Sequence, residues 1–154
     1  MVSRSHRGKC HAGYLAVCYH PGVAPLDLSA LKSALGQLED GLRAAAAERE
    51  SEIIRDGVIQ RFEYSHELAL KFIKRVLEHR HGDPVDTMGY NDLLRTAAER
   101  GYIKNVEQWF AYRKARNQTS HTYDANVAAG VFMSASPFLA DARFLLDRLE
   151  ERTD

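Results

Sequence analysis

Twelve consecutive residues, Arg113 to Asp124, hold the densest chemistry of the chain: all but Ala115 are polar or charged, counting Tyr123. Within them Arg116, Asn117 and His121 form a set suited to phosphodiester chemistry. Imidazole exchanges a proton near neutral pH and serves as general base or acid. A guanidinium stays charged and grips phosphate oxygens with a planar fork of donors. It can also stabilise the extra negative charge of a phosphoryl transition state. Asn117 is available to orient either partner or a phosphate. On one straight helix Arg116 and His121 point about 140° apart, at ~100° per residue, whereas Arg116 and Tyr123 share a face. Arg116 and His121 therefore converge only if the helix ends or bends between them. Asn117, Thr119, Ser120 and Thr122 compete with helical backbone bonding and favour such an end. By residue chemistry alone, a solvated helix end is the commoner reading of such a stretch.

A second stretch, Arg61 to Phe72, sets polar residues on a helix that otherwise builds core. Glu67 and Lys71 are spaced for an ion pair along the helix. The bland reading is a solvated face with one salt bridge. The sharper reading makes Arg61, Glu63 and Glu67, together with Ser120, the lining of the cleft that holds Arg116 and His121. His66 reads as a surface or satisfied histidine, and His79 and His81 as loop residues beside Gly82-Asp83-Pro84.

Other chemistries lack their signatures. The chain has no glycine-rich phosphate loop, no H-E-x-x-H and no C-x-x-C, so neither a metal nor a cofactor is expected. Cys10, His11, Cys18 and His20 do not follow common zinc-ligand spacing. Lys and Arg total 21 and so do Asp and Glu, which argues against a general nucleic-acid coat but leaves room for a local basic site. No run approaches the ~20 apolar residues of a membrane helix. The apolar run at Tyr14–Val17 is too short for a signal peptide and is interrupted by His20-Pro21, so a cytoplasmic protein is expected.

The elements that must carry these residues are helical. Asp27 is a good N-cap. Leu28, Leu31, Leu35, Leu38 and Leu42 then form one stripe of an amphipathic helix reaching about Glu48. Ser51 caps a long second helix with Ile54, Val58, Phe62, Ala69, Phe72 and Val76 inward, ending near His79. Asn91 or Asp92 caps a short helix, Leu93 to Arg100, stopped by Gly101. A fourth helix spans about Val106 to Asn117, with Val106, Trp109 and Phe110 on its apolar face. Asp124 caps a fifth that reaches about Glu151, with a kink or break near Ala135-Ser136 ahead of Pro137. Nothing alternates with period two. The expectation is an all-α chain: residues 1–26 a loosely ordered extension, and 27–151 an antiparallel bundle of four main helices and one short one.

Two signatures at this separation point to a family. Arg116-Asn117-Gln118-Thr119-Ser120-His121-Thr122-Tyr123 resembles the R-x4-H-x-Y motif of HepT-type toxins in the HEPN superfamily. Asp56 to Ala69, centred on Arg61-Phe62-Glu63-Tyr64, resembles the other signature of the subgroup described as nucleotidyltransferase substrate-binding proteins. The resemblance runs from about residue 27 to 150. It implies a HEPN bundle that forms a homodimer with the two motifs facing each other. It also implies a minimal nucleotidyltransferase as cognate antitoxin. Active members resemble metal-independent ribonucleases. On that pattern Arg116 would hold an RNA phosphate, His121 would move a proton, and Tyr123 would be the hydroxyl that the antitoxin adenylylates. Two alternatives stay open: a non-catalytic substrate- or nucleotide-binding subunit of a nucleotidyltransferase, and a structural helical dimerisation module.

Overall fold

The computed structural model describes residues 25–151, and every regular element among them is helical. The elements are α1 (Ser29–Ala47), α2 (Glu52–His81), α3 (Tyr90–Glu99), α4 (Val106–Asn117) and α5 (Ala125–Glu151), with single 3-10 turns at Val85–Thr87 and Thr119–His121. The bundle is the expected all-α architecture. Most of the expected extension, with Cys10, His11, Cys18 and His20, lies outside the described residues.

Helix α1 buries Leu31, Leu35 and Leu38 completely or nearly so, as its leucine stripe requires. Burial of each such side chain contributes roughly 1.5–3 kcal/mol against an exposed state. Only four residues join α1 to α2, and the pair runs antiparallel. The Ser65 hydroxyl donates to the Ala34 carbonyl, the Arg61 guanidinium to that of Gln37, and a Cβ on Gly41 would sit 3.2 Å from Val58 and from Arg61. As the α1 partner moves up the chain, the α2 partner moves down. Gly41 permits this approach because it has no side chain to displace.

Helix α5 also runs antiparallel to α1, since Lys32 pairs with Glu150 and Glu39 with Arg143. It runs parallel to α2. Phe62 meets Phe138 edge-on at 5.2 Å, and further along Arg80 donates to the Leu149 carbonyl. Phe138 also packs edge-on against Trp109 and Tyr112 of α4. This aromatic centre, buried throughout, locks α4 onto α2 and α5 directly beneath the polar junction.

Several boundaries differ from the sequence reading. The N-cap of α1 is Leu28, with the Asp27 carboxylate accepting from the Ser29 N–H. Helix α2 continues to His81 and ends at Gly82, whose φ of 68° is the left-handed conformation glycine adopts freely. His81 is thus helical rather than a loop residue, and its ring bonds the Tyr102 hydroxyl at 3.0 Å. Helix α3 starts at Tyr90, because Gly89 is extended and its carbonyl accepts from the Leu93 N–H; Asn91 and Asp92 fall inside the first turn. Helix α5 passes through Pro137 without interruption. Packing of Ala135, Phe138 and Ala142 into the core holds the helix across the one backbone donor that proline lacks.

Candidate functional site

Helix α4 ends at Asn117, between Arg116 and His121, as the turn-favouring residues after it predict. The next residues close on themselves. Thr119 donates its hydroxyl to the Arg116 carbonyl, Thr122 to the Thr119 carbonyl, and the His121 N–H donates to the Gln118 carbonyl. The resulting 3-10 turn rolls the chain so that His121 and Tyr123 stand together, rings 6.1 Å apart and nearly perpendicular. Asp124 then caps α5, its carboxylate accepting from the N–H groups of Asn126 and Val127. Asn117, Ser120 and His121 are exposed, and Tyr123 is 87% exposed. Among the described residues, a large aromatic left this far out takes no part in the core.

Arg116 is held from across the bundle. Its guanidinium donates to the Glu67 carboxylate and lies 3.5 Å from that of Glu63, both on α2. Glu67 thus pairs between helices with Arg116 and not along α2 with Lys71. The Glu67 hydrogen bond, outweighing desolvation, pushes the Arg116 pKa still higher. Glu63 and Glu67 therefore join the polar junction, as the cleft reading expects. Arg61 does not. Two residues before Glu63, it points to the opposite side of α2 and donates to the Gln37 carbonyl of α1 at 2.5 Å.

Beneath this pair lies His66, 1% exposed, between Phe62, Trp109 and Phe138. It is neither a surface histidine nor a fully satisfied one: Nε2 is 3.4 Å from the Tyr90 hydroxyl, and Nδ1 has no hydrogen-bond partner among the described residues. Burial, and after it the Arg116 charge, lowers its pKa to about 4; Arg113 adds to the lowering and Glu67 opposes it. Burial also pushes the Tyr90 phenol up to about 12. Over the Tyr90 ring, 3.8 Å from its centroid, sits the guanidinium of Arg113.

The group of His66, Tyr90 and Arg113 is not among the residues that sequence reasoning singles out. A signal exists for His66, which lies four residues after Phe62 in the buried register of α2. Arg113 lies one turn before Arg116 on α4. Nothing in the sequence points to Tyr90, because Asn91 and Asp92 offer better caps and place the start of α3 after it. Among the described residues no group of three His, Cys, Asp or Glu side chains is arranged to hold a metal ion, and no helix is long and apolar enough to cross a membrane. An apolar groove elsewhere, between the α1–α2 connection and Ala129, Phe132 and Met133 of α5, shares no residue with the polar junction.

Comparison with known proteins matches residues 26–151 to the family described as "nucleotidyltransferase substrate binding protein like". The chain is 42% identical over 98 residues to the "probable ribonuclease HepT" of Haemophilus influenzae, covering 62% of this chain and 67% of that protein. Its fold is similar to a solved Haemophilus influenzae structure described as the fold of a substrate binding domain of a nucleotidyltransferase. There the TM-score is 0.74 and the identity 34%, over 80% of this chain and 99% of the other. A crystal structure from Thermus thermophilus is similar at TM-score 0.68 and 26% identity, over 77% and 98% of the two chains.

Proposed function

Because the chain belongs to the nucleotidyltransferase substrate binding protein like family, we propose that it is the toxin of a pair with a minimal nucleotidyltransferase, a metal-independent ribonuclease silenced by adenylylation of Tyr123. The observation that carries this reading is the α4–α5 junction. There the last turn of one helix carries an arginine fixed by two carboxylates, and the turn that follows carries an exposed histidine and an exposed tyrosine whose rings stand together.

In the reaction, Arg116 binds a phosphate and Asn117 helps to orient it. The 2′-oxygen of the preceding ribose attacks that phosphate, and its proton passes to the His121 imidazole. The O2′–P bond forms, the P–O5′ bond breaks, and the departing 5′-oxygen takes a proton from water, the His121 imidazolium returning its proton to the hydroxide left behind. The products are a cyclic phosphate and a 5′-hydroxyl. Adenylate on Tyr123 would add bulk and negative charge beside His121, where the RNA backbone must lie.

The test is cleavage of a mixed RNA pool by purified protein in EDTA, wild type beside His121→Ala. Wild type should cleave and the variant should lose activity by about 100-fold or more, the range of a general base. Incubation with the nucleotidyltransferase and Mg-ATP should then place adenylate on Tyr123 and abolish cleavage; adenylate found only elsewhere would remove that assignment.

One observation favours a second reading, a binding subunit that presents substrate to the nucleotidyltransferase. The Arg116 charge is already matched by Glu63 and Glu67, and the family and one similar structure are described by substrate binding. Folded, unadenylylated protein that cleaves nothing would support it.

A further inference from the structure

Arg113 differs from Arg116 in one respect that matters for an incoming anion. Arg116 is matched by two carboxylates. Arg113 takes part in no ion pair among the described residues, and its one specific contact is the Tyr90 ring. A guanidinium stacked on an aromatic face keeps its in-plane N–H donors free, and stacking restricts the side chain before any ligand arrives. Tyr90 is itself anchored, half-buried at the start of α3 with its hydroxyl toward His66.

Arg113 and Arg116 stand three residues apart on α4. Residues at this spacing share a helix face with Cβ atoms about 5–6 Å apart. From that face the two guanidinium groups reach different helices, Arg113 the Tyr90 ring of α3 and Arg116 the carboxylates of Glu63 and Glu67 on α2. The charges of both guanidinium groups reach His66 of α2.

Resting on the ribonuclease reading, we propose that Arg113, stacked on Tyr90, is a second phosphate contact, gripping the RNA backbone at a phosphate that flanks the one held by Arg116. Tyr90 is its positioning residue. The substrate is then a strand and not a mononucleotide, and a flanking phosphate contributes to binding. The charge of this contact is local, which suits a chain whose overall charge is zero.

The experiment measures binding of a short single-stranded oligoribonucleotide, and separately of AMP, across a range of salt concentrations. The parent is His121→Ala, so that the RNA survives. Arg113→Ala should weaken RNA binding about tenfold and make the salt dependence shallower by about 0.7 in slope, the contribution of one phosphate on a single strand. Arg113→Lys should keep the slope and recover part of the affinity. Tyr90→Leu should weaken binding, and Tyr90→Phe, which keeps the ring, should recover most of that loss. Circular dichroism monitors folding of each variant. If the parent binds RNA and Arg113→Ala binds it with the same affinity and slope, or loses affinity for AMP alone, the second contact is overturned while the ribonuclease reading stands. If the folded parent binds no RNA, both fall.

Discussion

At the residue scale the site combines one arginine that is held and one histidine that is hidden. The pairing of Arg116 with Glu67 is partly exposed, so its contribution to stability is small, about 0–1 kcal/mol. Its effect is to choose the direction in which the guanidinium points. His66 acts on stability instead. Its folded pKa of about 4 lies below the ordinary value of 6.5 because burial and the Arg116 and Arg113 charges disfavour the imidazolium; of its neighbours Glu67 alone pulls the other way. Between those values the unfolded chain binds more protons than the folded one. Stability from this group is therefore complete above pH 6.5 and is lost as pH falls toward 4, by about 3 kcal/mol at most. His66→Phe should flatten urea-unfolding stability across that window and leave the variant more stable than wild type at pH ~4.5, inside the window. An unchanged pH profile would show that His66 does not titrate as its burial demands.

At the element scale the decisive feature is the junction between α4 and α5. Its 3-10 turn is closed by side chains of its own sequence, and Asp124 ties it to the next helix from both directions. The Asp124 N–H donates to the His121 carbonyl while the carboxylate caps α5. Asp124→Ala should cost about 1 kcal/mol and lower the melting temperature by roughly 2–5 °C, while Asp124→Asn, also a good cap, should hold it. Thermal melts followed by circular dichroism distinguish the two; equal loss in both variants would mean that the carboxylate charge, and not capping, is what matters. The same element is the most legible part of the site. Its run of polar, turn-favouring residues announces a helix end between Arg116 and His121, and the end is there. The start of α3 is illegible because two good capping residues, Asn91 and Asp92, mask a glycine that begins the helix earlier.

At the scale of the whole molecule, one chain carries one R-x4-H-x-Y segment, with His121 exposed and Arg116 partly so. The resemblance to HepT-type toxins implies that two copies pair with these motifs facing each other. Light scattering of purified protein at micromolar concentration should then give twice the 17.4 kDa mass of the chain. A monomer under those conditions would sink the paired arrangement, though not a role for His121 within one chain.

What the sequence determined by itself was local or periodic. The leucine stripe of α1, the inward series of α2, the capping role of Asp124 and the helix end between Arg116 and His121 all follow from residue types and spacing along one chain segment. Hydrophobic period and turn chemistry act over a few residues, so they can be read in one dimension. The tertiary structure decided everything that depends on which faces meet. It brought Glu63 and Glu67 of α2 to Arg116 of α4, and it sent Arg61, on the same helix, to α1. It sealed His66 beneath the junction and set Arg113 over a tyrosine from α3. Ion pairs and stacking between helices depend on packing angle and rotation about each axis, and no segment carries that information alone. Pro137 follows the same rule: local preference predicts a break, and the core packing around Phe138 prevails.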